Sequence, residues 1–173
     1  MCLTDVVHQD IARLANVPVL RLGETGFSAR SAVLLTAFSE NEEAWTQLIT
    51  TVGGATTIHQ HSAIWFNSSI VLVIGPFLVC LNTVDGRLEW QTRCDRATCF
   101  GVHIAPDKSA LIVHGELAIT RVTLDGRESW KAGGRDIFTG SFMMHRDGLQ
   151  VTDFNGEVYR INLETGHSTI LDE

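Results

Sequence analysis

With 173 residues, 45% of them apolar, 19% charged and only 3 prolines, the chain is that of a packed globular domain and not of a disordered one. Its formal charge is −7 (13 basic against 20 acidic residues) and no run of Lys and Arg stands out, so neither nucleic acid nor an anionic membrane is expected as a partner. The longest apolar runs, 70–74 and 77–81, are far short of a membrane span.

The first residues, Met1-Cys2-Leu3-Thr4-Asp5, carry no positive side chain and no continuous apolar run, so no export leader is read there. The four cysteines, Cys2, Cys80, Cys94 and Cys99, are then expected to be reduced and the compartment to be the cytoplasm. Thr4 as a cap, Asp5 in a first turn and Val7, Ile11, Leu14 and Ala15 on one stripe predict a short amphipathic helix over residues 1–16. Val17 to Leu22 reads as a strand that Pro18 restricts to a start or an edge. A Gly/Ser/Thr loop over 23–30 leads to the apolar, strand-like run Ser31 to Phe38.

Residues 39–52 admit two readings. Ser39 and Glu42 have capping-box spacing, and Ala44, Trp45, Leu48 and Ile49 would share a helical face. Against that, Thr46 to Ile58 aligns without a gap on Leu78 to Trp90, and its β-branched content favours a strand, the reading adopted here. Gly54 then begins a series whose later members are Gly86, Gly126 and Gly166, forty residues apart.

That series is the dominant pattern of the chain. Asp85-Gly86-Arg87-Leu88-Glu89-Trp90 returns as Asp125-Gly126-Arg127-Glu128-Ser129-Trp130, and Glu164-Thr165-Gly166 follows, with Ile170 where the tryptophan is expected. A turn recurring at this period marks a β-repeat array. Between the turns, short apolar runs are separated by Asn67-Ser68-Ser69, Gly75-Pro76, Pro106-Asp107-Lys108, His114-Gly115-Glu116, Arg146-Asp147-Gly148 and Asn155-Gly156, residues suited to chain reversal. The fold class predicted is therefore mainly β: four-stranded antiparallel blades forming a small or partial β-propeller-like array, with the N-terminal helix in front. The single domain divides into the helix (1–16), a degenerate first blade (17–59) and three further blades (60–92, 99–131 and 137–173).

The repeated Asp-Gly turn with a tryptophan four residues on resembles the blades of quinoprotein-type β-propellers, the family typified by pyrroloquinoline-quinone dehydrogenases. The resemblance implies that Trp90 and Trp130 dock between neighbouring blades. Enzymes of that family usually have seven or eight blades, whereas about four fit here, and no counterpart of a complete quinone-and-metal site is found, so no cofactor is expected. Four blades leave three arrangements: a small closed ring, an open arc with covered edges, or two chains completing a larger ring.

Signatures of catalysis are lacking. There is no G-x-S-x-G, P-loop, H-E-x-x-H or G-x-G-x-x-G, and no catalytic residue is assigned. His59-Gln60-His61 has the same-face spacing of a metal pair on a strand but no third ligand nearby in sequence, and is read as structural or solvent-facing. Cys94 and Cys99 are too far apart for a redox C-x-x-C, and His103, His114, His145 and His167 are scattered. Trp90 and Trp130 are spoken for by packing. Trp45, His61 and Trp65 are the candidates for an interaction patch, since aromatic residues are enriched where proteins dock. The expected function is a non-catalytic scaffold for a protein partner, basic by charge complementarity, of which a small bacterial inhibitor or immunity-type protein is one form. Two rivals stand beside it: an enzyme or small-ligand or metal-binding propeller using a central cleft at Trp65, His61, His103 or His145, and a half-ring acting as a homodimer.

Overall fold

Each equally spaced glycine turn closes the hairpin between the last two strands of a sheet. The computed structural model describes residues 1–5, 14, 16–23, 30–40, 42–54 and 56–171. Its first sheet holds β1 (Cys2–Asp5), β2 (Val19–Arg21), β3 (Ser31–Ser39) and β4 (Glu42–Thr51), in the spatial order β1-β3-β4-β2. The second is β5 (Ala63–Phe66), β6 (Ser69–Ile74), β7 (Phe77–Asn82) and β8 (Leu88–Arg93). The third is β9 (Cys99–Ile104), β10 (Ala110–Gly115), β11 (Ala118–Thr123) and β12 (Glu128–Gly133). The fourth is β13 (Phe142–Met144), β14 (Gly148–Thr152), β15 (Val158–Asn162) and β16 (Ser168–Ile170). The last three are antiparallel meanders in chain order, a β-propeller-like repeat.

Three hydrophobic cores join successive sheets. Leu35 and Ile49 meet Ile70, Leu72, Val79 and Leu81 between the first two. Val71, Val73, Leu78 and Cys80 meet Val102, Leu111, Val113 and Val122 between the next. Ile112 and Ile119 meet Leu149, Val151, Tyr159 and Ile161 between the last. The middle strands of the second and third sheets are buried on both faces, which is why 70–74 and 77–81 read as unbroken apolar runs. The fourth sheet alternates instead: Leu149, Val151, Tyr159 and Ile161 are buried, while Arg160 and Thr169 on the other face are exposed and Arg160 pairs with Asp147 at 2.9 Å. Among the described residues no buried core joins the fourth sheet to the first.

The indoles fasten the sheets. Trp45, Trp90 and Trp130 lie over Gly86, Gly126 and Gly166 of the following sheet. These glycines have φ of 71°, 85° and 71°, and a Cβ there would come within 2.8, 2.6 and 2.7 Å of the indole. Trp45 Nε1 donates to the Thr83 carbonyl and Trp130 Nε1 to that of Leu163, each at 3.0 Å and each three residues before the covered glycine. Beside Trp90, the Thr92 hydroxyl donates to the Gly126 carbonyl. A β-bulge accompanies each of these three indoles. The ladder skips Ala44, Glu89 and Ser129, the residues just before each tryptophan, and so turns the ring toward the neighbouring sheet. The fourth sheet has Ile170, paired with Tyr159 in an unbroken register, and neither tryptophan nor bulge.

Three expectations are corrected. Cys2–Asp5, assigned to a helix, is a strand paired with β3, whose long apolar ladder satisfies its backbone; residues 6–13 and 15 of that helix lie outside the described residues. The reading of 39–52 as strand holds, but β2 joins the first sheet parallel to β4, with the Pro18 carbonyl accepting from Leu48 N at 2.9 Å. Gly54 is not the first repeat glycine and Ile58 does not hold the tryptophan's place: Trp45 does the docking, and the left-handed residue of the β3–β4 turn is Glu40, at φ 50°. Gly54 is small because a Cβ would strike the Thr98 hydroxyl. A gap-free alignment missed this because the first interval is longer than the others, with Trp45 and Trp90 45 residues apart.

Two alanine substitutions separate docking from backbone strain. Gly156 is also left-handed (φ 88°) but has nothing within 4 Å of an added Cβ. Gly156→Ala should cost about 1 kcal/mol, the left-handed penalty alone, whereas Gly126→Ala should cost at least about 2 kcal/mol more, as the cavity-forming Trp90→Ala should. Urea unfolding measures all three, and equal costs for the two glycines would remove the docking role.

Candidate functional site

At the end of the sheets away from the glycine turns, the connection from β4 to β5 forms a tight turn at His59-Gln60-His61. Ser62 N donates to the His59 carbonyl at 3.0 Å and His59 N to Ser62 Oγ at 2.9 Å. Val102 N then donates to the His61 carbonyl at 2.8 Å, tacking the turn to β9. Gly101 admits this approach, since a Cβ there would lie 3.1 Å from His61 Cβ.

Six aromatic rings, two from the β4–β5 connection and four from the third and fourth sheets, follow one another around a recess of about 310 Å³. His59 and His61 meet edge-on at 6.0 Å between centroids, and His61 lies on His103 at 4.3 Å. His103 stacks on Phe142 at 4.5 Å and Phe142 on His114 at 4.8 Å. His114 meets Phe100 edge-on at 5.4 Å, and the Phe100 carbonyl accepts from His59 Nε2 at 2.8 Å, closing the circuit. His61 N donates to His59 Nδ1 at 3.1 Å, so the Nε2–H tautomer of His59 satisfies both bonds.

Loops from the next connections brace this ring. Asp95, only 3% exposed, accepts from Ala97 N at 2.7 Å with one oxygen and from Leu117 N and Ala118 N at 2.9 and 3.0 Å with the other. It pins the β10–β11 turn, where Glu116 N donates to the Thr98 carbonyl and Phe138 N to that of Glu116. The Phe138 carbonyl accepts in turn from His114 Nε2 at 3.3 Å.

The recess is uncharged. No Asp, Glu, Lys or Arg lines it. Burial, helped by the neighbouring imidazoles, pushes His103 down to about 3; burial pushes His114 down to about 4 against the opposing pull of the Phe138 carbonyl. Among the described residues no three His, Cys, Asp or Glu side chains are placed to hold a metal ion. Cys94 and Cys99 are core thiols, both raised by burial, Cys94 to about 12, and so poorly nucleophilic.

The candidates chosen from sequence do not come together. Trp45 is bound to the second sheet's turn, His61 sits at the opposite end in the ring, and Trp65 is 52% exposed on β5. Alternation along β5 explains Trp65: Ile64 and Phe66 pack toward the third sheet, Ala63 and Trp65 face the first. In the third and fourth sheets the inner strand's corresponding face is covered by the sheet before. The innermost strand of the first sheet among the described residues is β1, paired with the long β3, and the sheet extends on its outer side through β2. His103 does meet His61, and His114 lines the same recess, whereas His145 and His167 lie in turns at the other end. Phe100 and Phe142 were not candidates, because apolar residues in strands carry no signal separating a site from a core.

Similarity to known proteins supports the fold. The structure resembles BamB from Moraxella catarrhalis with a TM-score of 0.58 and 13% identity over 82% of this chain and 46% of that one. It resembles the WD40 repeats of RRP9 with a TM-score of 0.53 and 16% identity over 68% of this chain and 40% of that one. The chain thus matches less than half the length of either structure, and the likeness is one of β-propeller fold. No family model matches the sequence, and no curated protein does.

The ring makes stability depend on pH. His103 and His114 titrate lower folded than unfolded, so the unfolded chain binds more protons below about pH 6.5 and stability must fall as the solution is acidified. Each contributes a slope of up to about 1.4 kcal/mol per pH unit between its unfolded and folded values. Denaturant midpoints from pH 7 to pH 4 should fall in the parent and fall less in His103→Phe; parallel curves would mean the imidazole is not desolvated.

Proposed function

We propose that the protein is a non-catalytic scaffold that binds another protein, with Trp65 at the contact. The observation that carries this reading is the exposed indole on the innermost strand of the second sheet, half open to solvent in an otherwise buried repeat. Buried aromatics dominate binding energy where proteins dock, and an exposed tryptophan framed by polar turns is suited to that use. Val84, 81% exposed, lies at the same end of the sheet, because Thr83 is tied to the Ser68 carbonyl through its amide and hydroxyl. The charge of −7 suits a basic partner.

In its finer form the proposal is a small bacterial inhibitor or immunity-type protein, working in the cytoplasm against a toxin or enzyme. The Asp-Gly turns and docking tryptophans support kinship with quinoprotein-type blades, used here as a scaffold. Trp45 drops out of the proposed contact because its indole is engaged within the array.

The test compares the parent with Trp65→Glu against a partner isolated from the native cell and purified. A centrally placed tryptophan is worth at least about 2 kcal/mol, so affinity should fall about thirtyfold or more with no loss of thermal stability. Unchanged affinity would overturn the assignment. Light scattering reads the homodimer alternative: a doubled mass that Trp65→Glu abolishes would make a second copy the occupant instead.

A further inference from the structure

The aromatic circuit is an expensive way to close a seam. Aliphatic side chains would join the β4–β5 connection to the third and fourth sheets without stripping water from imidazoles. What imidazoles provide, and aliphatics do not, is nitrogen facing an open space. Among the described residues neither ring nitrogen of His103 has a hydrogen-bond partner, and none of its nitrogens is among the sealed, unsatisfied polar atoms, so both are reached from the recess. His61 has Nδ1 to spare, its Nε2 being met by the Gln60 amide at 3.1 Å. His114 has Nδ1 to spare, its Nε2 being used on Phe138.

Three features define what fits. The wall bears no ionic side chain, and a charged guest entering it would lose hydration without gaining a counter-ion. The rings pair with small interplanar angles, 35° for His61 with His103, 24° for His103 with Phe142 and 17° for Phe142 with His114, so a further flat ring extends an existing stack. A volume of about 310 Å³ is at the small end of ligand pockets and suits one or two fused rings. A bare metal ion is disfavoured, because no three donors converge on one point.

From this geometry we propose that the ring of His59, His61, Phe100, His103, His114 and Phe142 is a binding site for a small, uncharged, planar aromatic or heteroaromatic molecule. The guest stacks within the ring and exchanges hydrogen bonds with His103 and the spare nitrogens of His61 and His114. This site lies at the opposite end of the sheets from Trp65 and does not depend on the protein-binding reading.

The experiment titrates the full chain at pH 7 while the imidazole ¹⁵N resonances are followed by NMR. The probes are 4-hydroxyquinoline, indole, quinoline-4-carboxylate as the charged analogue, and zinc chloride. At least one neutral probe should shift the His61, His103 and His114 signals saturably, and the carboxylate should bind about tenfold more weakly, as befits an uncompensated charge. His103→Phe should weaken the neutral probe by about tenfold, the worth of its hydrogen bonds, without lowering the melting temperature. His114→Phe serves as the second variant should the first misfold. Equal binding of charged and neutral probes, silence of these resonances with every flat probe, or capture of zinc alone would each overturn the proposal. None of these readings involves Trp65→Glu, so its failure and that of the docking site are distinguishable.

Discussion

The contact on which this molecule depends is an indole laid on a glycine. A sheet with two apolar faces cannot stand alone, and stacking such sheets requires that their relative position be set at some point outside the sliding aliphatic core. Here that point is the left-handed glycine of the turn between the last two strands, where any side chain would meet the indole of the preceding sheet. The same residue type thus serves the turn and the packing. The bulge before each tryptophan swings the ring out of the ladder and onto its neighbour, so sequence, local distortion and inter-sheet contact are one device used three times.

Where the device is lacking, the sheet differs accordingly. The fourth sheet has Ile170, no bulge, and an outward face bearing Arg160 and Thr169, so hydration replaces packing on that side. The first sheet carries Trp45 but is built with a parallel outer strand instead of a chain-order meander. Trp65 is exposed on the face of β5 turned toward this sheet, whereas its neighbours on the same strand, Ile64 and Phe66, are covered by the third sheet.

Docking at the turn end leaves the other end to the connecting loops, and their polar groups are satisfied locally. Asp95 gathers three backbone amides and Asp153 accepts from Asn155 N, Glu157 N and the Tyr159 hydroxyl, so two successive turns are held by buried carboxylates. This frame carries the imidazole ring. The desolvated His103 and His114 persist there because each is stacked, and the Phe138 carbonyl takes up a proton of His114 that would otherwise be unpaired.

The sequence alone determined the repeat, because Gly86, Gly126 and Gly166 must recur wherever the chain makes the same left-handed turn under an indole, and apolar runs must recur wherever strands are buried. It could not show that Trp45 belongs to that series, since the turn beside it uses Glu40 in place of glycine and the interval is longer. Nor could it tell that Cys2–Asp5 is a strand, because four residues take their conformation from the partner β3 and not from their own propensity. The ring at His59, His61, Phe100, His103, His114 and Phe142 was the least legible. Its members are separated along the chain by up to 83 positions and come from one connection and two sheets, and no local spacing rule spans that distance. Periodicity is a property of one strand and its turn, whereas a site assembled across sheets exists only once docking has set their order and rotation.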